Sequence, residues 1–132
     1  MNWHDLETFS FGDSSVLADE LAALVLEGRK SATCWAAGDG MLTEVGKRWV
    51  MLDGAGRPRA VIETVELRLL RFSEVDAAFA HDEGEGDLTL GWWQGAHRRY
   101  FTRKGQFAED MMLWCERFRV VDTLADESGP RA

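Results

Sequence analysis

The chain has 132 residues, 45% hydrophobic and 29% charged, the length and composition of one packed domain. Its formal net charge of −8 excludes a large non-specific hold on nucleic acid, which needs a positive surface, and makes duplex DNA a poor partner. No apolar run approaches the roughly 18 residues of a membrane span, and the acidic, polar start MNWHDLETFSFGD is no signal sequence, so a cytoplasmic protein is expected.

The first predicted helix follows Asp13, Ser14 and Ser15, whose side chains can cap it. In the run VLADELAALVLEG, Leu17, Leu21, Leu24 and Val25 fall on one face at helical spacing. Gly28 is the natural residue after the helix end, where a positive φ costs little. Ser31 to Trp35 reads as a strand entering the core, and Arg48 to Leu52 as a second one after Gly46. The turn chemistry of Asp53 to Pro58 joins that strand to a long β run, Arg59 to Phe72, as a hairpin. Ser73 is positioned to cap a short helix, EVDAAFAH. The acidic, glycine-broken segment Asp82 to Asp87 follows. Asp87 or Thr89 then caps a helix carrying Trp92, Trp93, His97 and Tyr100. A final strand spans Met112 to Val121. Residues 1–124 are expected to form a single domain, and the polar tail 125–132 to be disordered. The strands are too irregularly separated for a doubly wound sheet. The pattern predicts a mixed α+β domain, with five strands in a curled sheet or small barrel.

Three stretches carry chemistry. In LEGRKSATCW, strand alternation sends Ser31 and Thr33 to one side and Ala32 and Cys34 to the core. Lys30 stands at the corner, beside that hydroxyl face. A lysine in a partly dry pocket can lose its proton and serve as a base, and a neighbouring hydroxyl can then be a nucleophile. The plainer alternative is a cation complementing a helix C-terminus. In DEGEGD, the glycines flanking Glu85 let its carboxylate approach a ligand or a lysine; a solvated acidic linker is the alternative. In the last helix, Trp93, His97 and Tyr100 share a face, which suits either stacking on a base or a core stripe. Cys34 and Cys115 read as buried free thiols. The three histidines lack zinc-ligand spacing, so no metal and no cofactor is expected.

Taken together, these residues resemble the ASCH-domain proteins of the PUA-like superfamily, over the stretch from Trp3 to about Val121. The resemblance rests on Phe11-Gly12-Asp13 and on Gly28 to Thr33, similar to the family's G-x-K-x-x-T signature. It also rests on Val45-Gly46, Glu83 to Asp87, the Trp93 to His97 spacing and Cys115-Glu116-Arg117-Phe118. It implies a small mixed β-barrel of five to six strands with flanking helices, and a cleft between the first helix-strand corner and the acidic loop. It further implies RNA or a modified nucleoside as ligand. In the branch that hydrolyses the acetyl amide of N-acetylated cytidine, a Lys, a Thr and a Glu act. The matching positions are Lys30, Thr33 and Glu85, with Glu83 as the alternative acid. On this resemblance Thr33 attacks the carbonyl, Lys30 takes its proton, and Glu85 orients Lys30 or shuttles the proton to the leaving amine. Arg29, Ser31, Glu83, Trp93 and His97 are the expected substrate contacts. The chain departs from that branch in length, through its Trp-rich helix after Asp87. A ribonuclease acting on single-stranded RNA and a non-catalytic RNA or nucleotide binder are the competing expectations. The oligomeric state is left open.

Overall fold

The computed structural model describes residues 2–124; the expected tail lies outside them. Five strands, β1 (Thr8–Ser10), β2 (Ala32–Ala36), β3 (Arg48–Leu52), β4 (Pro58–Arg71) and β5 (Met112–Thr123), form one sheet in the order β1-β3-β4-β5-β2. The β1–β3 pair is parallel and the other three are antiparallel. Three α-helices, α1 (Ser15–Leu26), α2 (Ala77–Glu83) and α3 (Leu90–Arg103), complete an α+β domain. The sheet is open, with β1 and β2 at its edges among the described residues. Register shifts between Val61 and Ile62 and between Thr64 and Glu66 interrupt the β4–β5 ladder. Such irregularities deepen the local twist and let a long hairpin curl towards a barrel.

Both sheet faces are covered. On one, Ala32, Leu113 and Cys115 pack under α2 and α3 through Phe79, Ala80, Trp93 and Phe101. On the other, Met51, Ala60, Ile62 and Phe118 pack under α1 through Leu21, Ala22 and Val25, with Phe11 beside them. The Trp-rich helix is therefore part of the core as well as a wall of the site.

Local chemistry explains most boundaries. Ser14 caps α1 by accepting from Leu17 N–H at 3.1 Å. At its other end Gly28 N–H reaches Val25 O and Arg29 N–H reaches Leu24 O, with Gly28 at φ +79°. That is a Schellman stop, which satisfies the last carbonyls and turns the chain into β2. One expectation is corrected, and one strand was not foreseen. The cap of α2 is Asp76, which accepts from Phe79 N–H at 2.9 Å. Ser73 is not the cap, because it lies inside a 3-10 turn, Phe72–Glu74, whose Glu74 carboxylate binds Arg71 N–H. The short strand β1 was not foreseen, since three residues carry too little alternation to be read. No helix is long and apolar enough to cross a membrane among the described residues.

Candidate functional site

The Schellman turn delivers Lys30 to the head of β2 with its side chain turned inward, 1% exposed. Its ammonium meets four acceptors: Ala32 O at 2.9 Å, Glu83 O at 3.3 Å, Glu83 Oε1 at 3.4 Å and Glu85 Oε2 at 3.0 Å. The acidic loop is held against this corner by its backbone. Ser31 N–H donates to Asp82 O at 2.7 Å. Gly84, at φ +74°, sits so close that an added Cβ would lie 2.3 Å from Arg29 O. Only glycine fits there, and its turn brings both Glu83 and Glu85 to one lysine. The sequence left the choice between those acids open; the structure places both on Lys30.

Burial by itself would push the Lys30 ammonium down, but Glu83 and Glu85 outweigh it and the net shift is upward. The resting lysine is a cation, so the geometry supports charge stabilisation by Lys30 better than proton abstraction.

Glu83 is buried beneath this pair. Its Oε2 accepts from Trp93 Nε1 and lies 3.5 Å from Cys34 Sγ and 3.4 Å from His97 Nε2. The His97 ring stacks on Trp93 with centroids 4.3 Å apart, and its Nδ1 lies 2.9 Å from Trp93 O. Trp93 is 1% exposed, so it orients Glu83 rather than offering an open stacking surface. Cys34, Glu83 and His97 are the group among the described residues whose donor atoms converge closely enough to hold an ion. Burial, and then the Glu83 charge, push the Cys34 thiol well up. Burial pushes Cys115 up to about 12.

Two adjoining cavities meet here. The smaller, about 180 Å³, is lined by Lys30, Glu83, Glu85, His97, Tyr100 and Leu17 among others. The larger, about 420 Å³, is lined by Phe9, Phe11, Trp35, Trp49, Thr43 and Glu116 among others. Phe11, Gly12, Thr33 and Cys34 belong to both walls. Thr33 is thus the hydroxyl at the junction, as its position on β2 predicts, although none of the Lys30 hydrogen bonds goes to it.

Sequence reasoning missed Glu116. It pairs directly with Thr33 across the β2–β5 ladder, so the two side chains share a face and stand as neighbours. Trp49 Nε1 donates to Thr43 Oγ1 at 2.9 Å, Thr43 meets Thr64 Oγ1 at 2.9 Å, and Thr64 donates to Glu116 Oε2 at 2.6 Å. Burial holds the Glu116 carboxyl above its ordinary range despite that hydroxyl donor. The members of this chain lie on three strands and a loop, so no spacing in the sequence announces it. Arg29 is exposed at the outer lip of the corner, and Ser31 is half-buried with its backbone bonded to Asp82 and Phe118.

Several cations away from this corner are held in ion pairs. Lys47 meets Glu7, Arg48 meets Glu63, Arg57 and Arg59 meet Asp53, and Arg98 meets Glu109.

A family model described as the ASCH domain matches residues 7–122. The crystal structure of an ASCH domain from Lactobacillus crispatus is 34% identical, with 88% of this chain and 79% of that one covered and a TM-score of 0.81. A protein from Enterococcus faecalis is also 34% identical, with 89% and 77% covered and a TM-score of 0.79. A hypothetical protein at 10% identity, with 78% and 93% covered and a TM-score of 0.55, shares the fold alone. No curated protein matches the chain.

Proposed function

Because the chain belongs to the ASCH-domain family, we propose that it binds a modified nucleoside across the two joined cavities and hydrolyses an exocyclic amide on its base, such as that of N-acetylated cytidine. The observation that carries this reading is the position of Thr33, at the junction of an aromatic cavity and the Lys30–Glu83–Glu85 cluster. The larger cavity has the size of a small-ligand site, apolar walls and few convergent polar groups. In this reading a planar ring lies against the wall formed by Phe9, Phe11, Trp35 and Trp49 and presents its exocyclic amide to Thr33.

In this reading the Thr33 hydroxyl attacks the amide carbonyl and passes its proton to the Glu116 carboxylate. A carboxyl raised by burial is a better base than an ordinary one. Lys30, a cation held by two carboxylates, stabilises the developing oxyanion. The carbon–nitrogen bond breaks as the leaving amine takes the proton from Glu116. Water then cleaves the threonyl ester, with Glu116 taking a proton from water and returning one to Thr33. The products are the free nucleoside and acetate. Glu85 and Glu83 act through Lys30, by fixing where its charge lies.

The acidic surface and the paired arginines support a small ligand over a long polyanion. The test is turnover of N-acetylated cytidine, followed by chromatographic release of cytidine, beside cleavage of a short single-stranded RNA. The proposal expects cytidine release that disappears in Thr33→Ala and in Lys30→Ala, with the RNA intact. RNA cleavage lost in the same variants would replace it with the ribonuclease reading. Ligand binding without turnover of either substrate would leave a binding module.

A further inference from the structure

We infer that Cys34, Glu83 and His97 form a binding site for a single zinc ion, with one coordination position open to the smaller cavity. The three come from β2, the last residue of α2 and the middle of α3, which is why no ligand spacing shows in the sequence. Their donor atoms, Cys34 Sγ, Glu83 Oε2 and His97 Nε2, all lie within 4.8 Å of one another.

Two of the three donor separations match zinc, and the third, Cys34 Sγ to His97 Nε2, lies within 4.8 Å. Bonds of about 2.3 Å to sulfur and about 2.0–2.1 Å to nitrogen or oxygen give a tetrahedron whose S···O edge is roughly 3.5 Å and whose N···O edge is roughly 3.3 Å. The observed separations are 3.5 Å for Cys34 Sγ to Glu83 Oε2 and 3.4 Å for His97 Nε2 to Glu83 Oε2.

Hydrogen bonding aims the ligands. The Trp93 carbonyl can only accept, so His97 Nδ1, 2.9 Å away, carries a proton. That leaves Nε2, 3.4 Å from Glu83 Oε2, as the ring nitrogen available to a metal ion. An Nδ1–H bonded to a carbonyl is also the usual outer support of a metal-binding histidine. The carboxylate is held in turn, with Trp93 Nε1 on Oε2 and Lys30 Nζ on Oε1.

Charge and ligand type agree with the choice of ion. Lys30, Glu83 and Glu85 together carry one negative charge. Zinc displaces the Cys34 proton as it binds, and the thiolate so formed adds a second, which a dication neutralises. One thiolate, one imidazole and one carboxylate select zinc over magnesium or calcium, which require oxygen ligands. Lys30, Thr33 and Glu85 line the cavity onto which the fourth position opens. This inference does not depend on the amide-hydrolysis reading.

The test uses the full chain freed of metal by a chelator. Zinc is titrated against a chromophoric chelator, and cobalt(II) is added separately to record its absorption spectrum. One zinc per chain is expected, together with a thiolate-to-cobalt charge-transfer band that excess magnesium does not remove. Cys34→Ala should abolish that band. His97→Gln should weaken zinc binding at least as much as losing an outer-shell partner does, roughly 10–100-fold. Absence of the band in the unaltered protein overturns the inference, and so does a band or affinity unchanged in Cys34→Ala. Failure of zinc to saturate would mean that His97 and Glu83 share a proton instead, and the site would be withdrawn.

Discussion

Lys30→Met separates the charge of the corner lysine from its bulk. Methionine reproduces much of the apolar stem, so little cavity is created. What disappears is a cation bonded to Glu83 at 3.4 Å and Glu85 at 3.0 Å, with side chains 1%, 2% and 23% exposed respectively. Removing one partner of a buried pair costs about 3–5 kcal/mol, because the other charge is left uncompensated. Glu83 keeps its Trp93 donor, and Glu85 is partly screened by solvent, so the low end, about 3 kcal/mol, is expected. For a domain between the small and large size classes, each kcal/mol moves Tm by roughly 3–6 °C, which gives a drop of roughly 9–18 °C. The paired change Lys30→Met with Glu83→Gln removes the stranded charge and should recover at least about 1.5 kcal/mol of the loss, as coupled neighbours do. Urea and thermal unfolding of the four proteins complete the cycle. Additive losses would refute the buried ion pair as the organiser of this corner. The pH sign follows from the raised lysine. Its stabilisation is complete below the ordinary value of 10.5 and fades as pH rises through the higher folded value. The parent protein should therefore lose stability on the alkaline side by a component that Lys30→Met lacks.

Glu116→Gln keeps an acceptor for Thr64 and removes a carboxyl raised by burial. The folded state holds that proton more tightly, so Glu116 costs stability as pH rises through its folded value. The variant should match the parent below the ordinary glutamate value of 4.5 and gain on it towards neutrality, while losing turnover; Tm against pH checks the first part. Gly84→Ala combines φ +74° with a Cβ placed 2.3 Å from Arg29 O, and should cost about 2–3 kcal/mol in chemical unfolding through left-handed strain and overpacking. Cys34 and Cys115 should label slowly with a thiol reagent in the native protein and fast in denaturant, since both thiols are held neutral; rapid native labelling of Cys115 would contradict its place in the core.

The parts of the fold that could be read in advance are those set by neighbours in sequence. Ser14, the leucine spacing of α1 and Gly28 define a helix and its exit without help from elsewhere. Strands β2 to β5 were legible because their apolar runs are bounded by glycine, proline and aspartate, although β5 runs on to Thr123. Strand β1 was not legible, because its three residues are ordered by parallel pairing to β3, some forty residues on. The site divides in the same way. Lys30, Thr33 and the glycine-broken acids carry local signals. The charge on Lys30 does not, since it is set by two carboxylates from a distant loop. Glu116 and Cys34 looked like ordinary strand residues until β2 paired with β5 and α3 closed over Glu83.

The most direct test of the account is a crystal structure of the Thr33→Ala variant with N-acetylated cytidine bound. The account predicts the base among Phe9, Trp35 and Trp49, with the acetyl carbonyl within hydrogen-bond reach of Lys30 Nζ and its carbon over the position left by the Thr33 hydroxyl. A ligand seated elsewhere, or both cavities empty at saturating ligand, would contradict it.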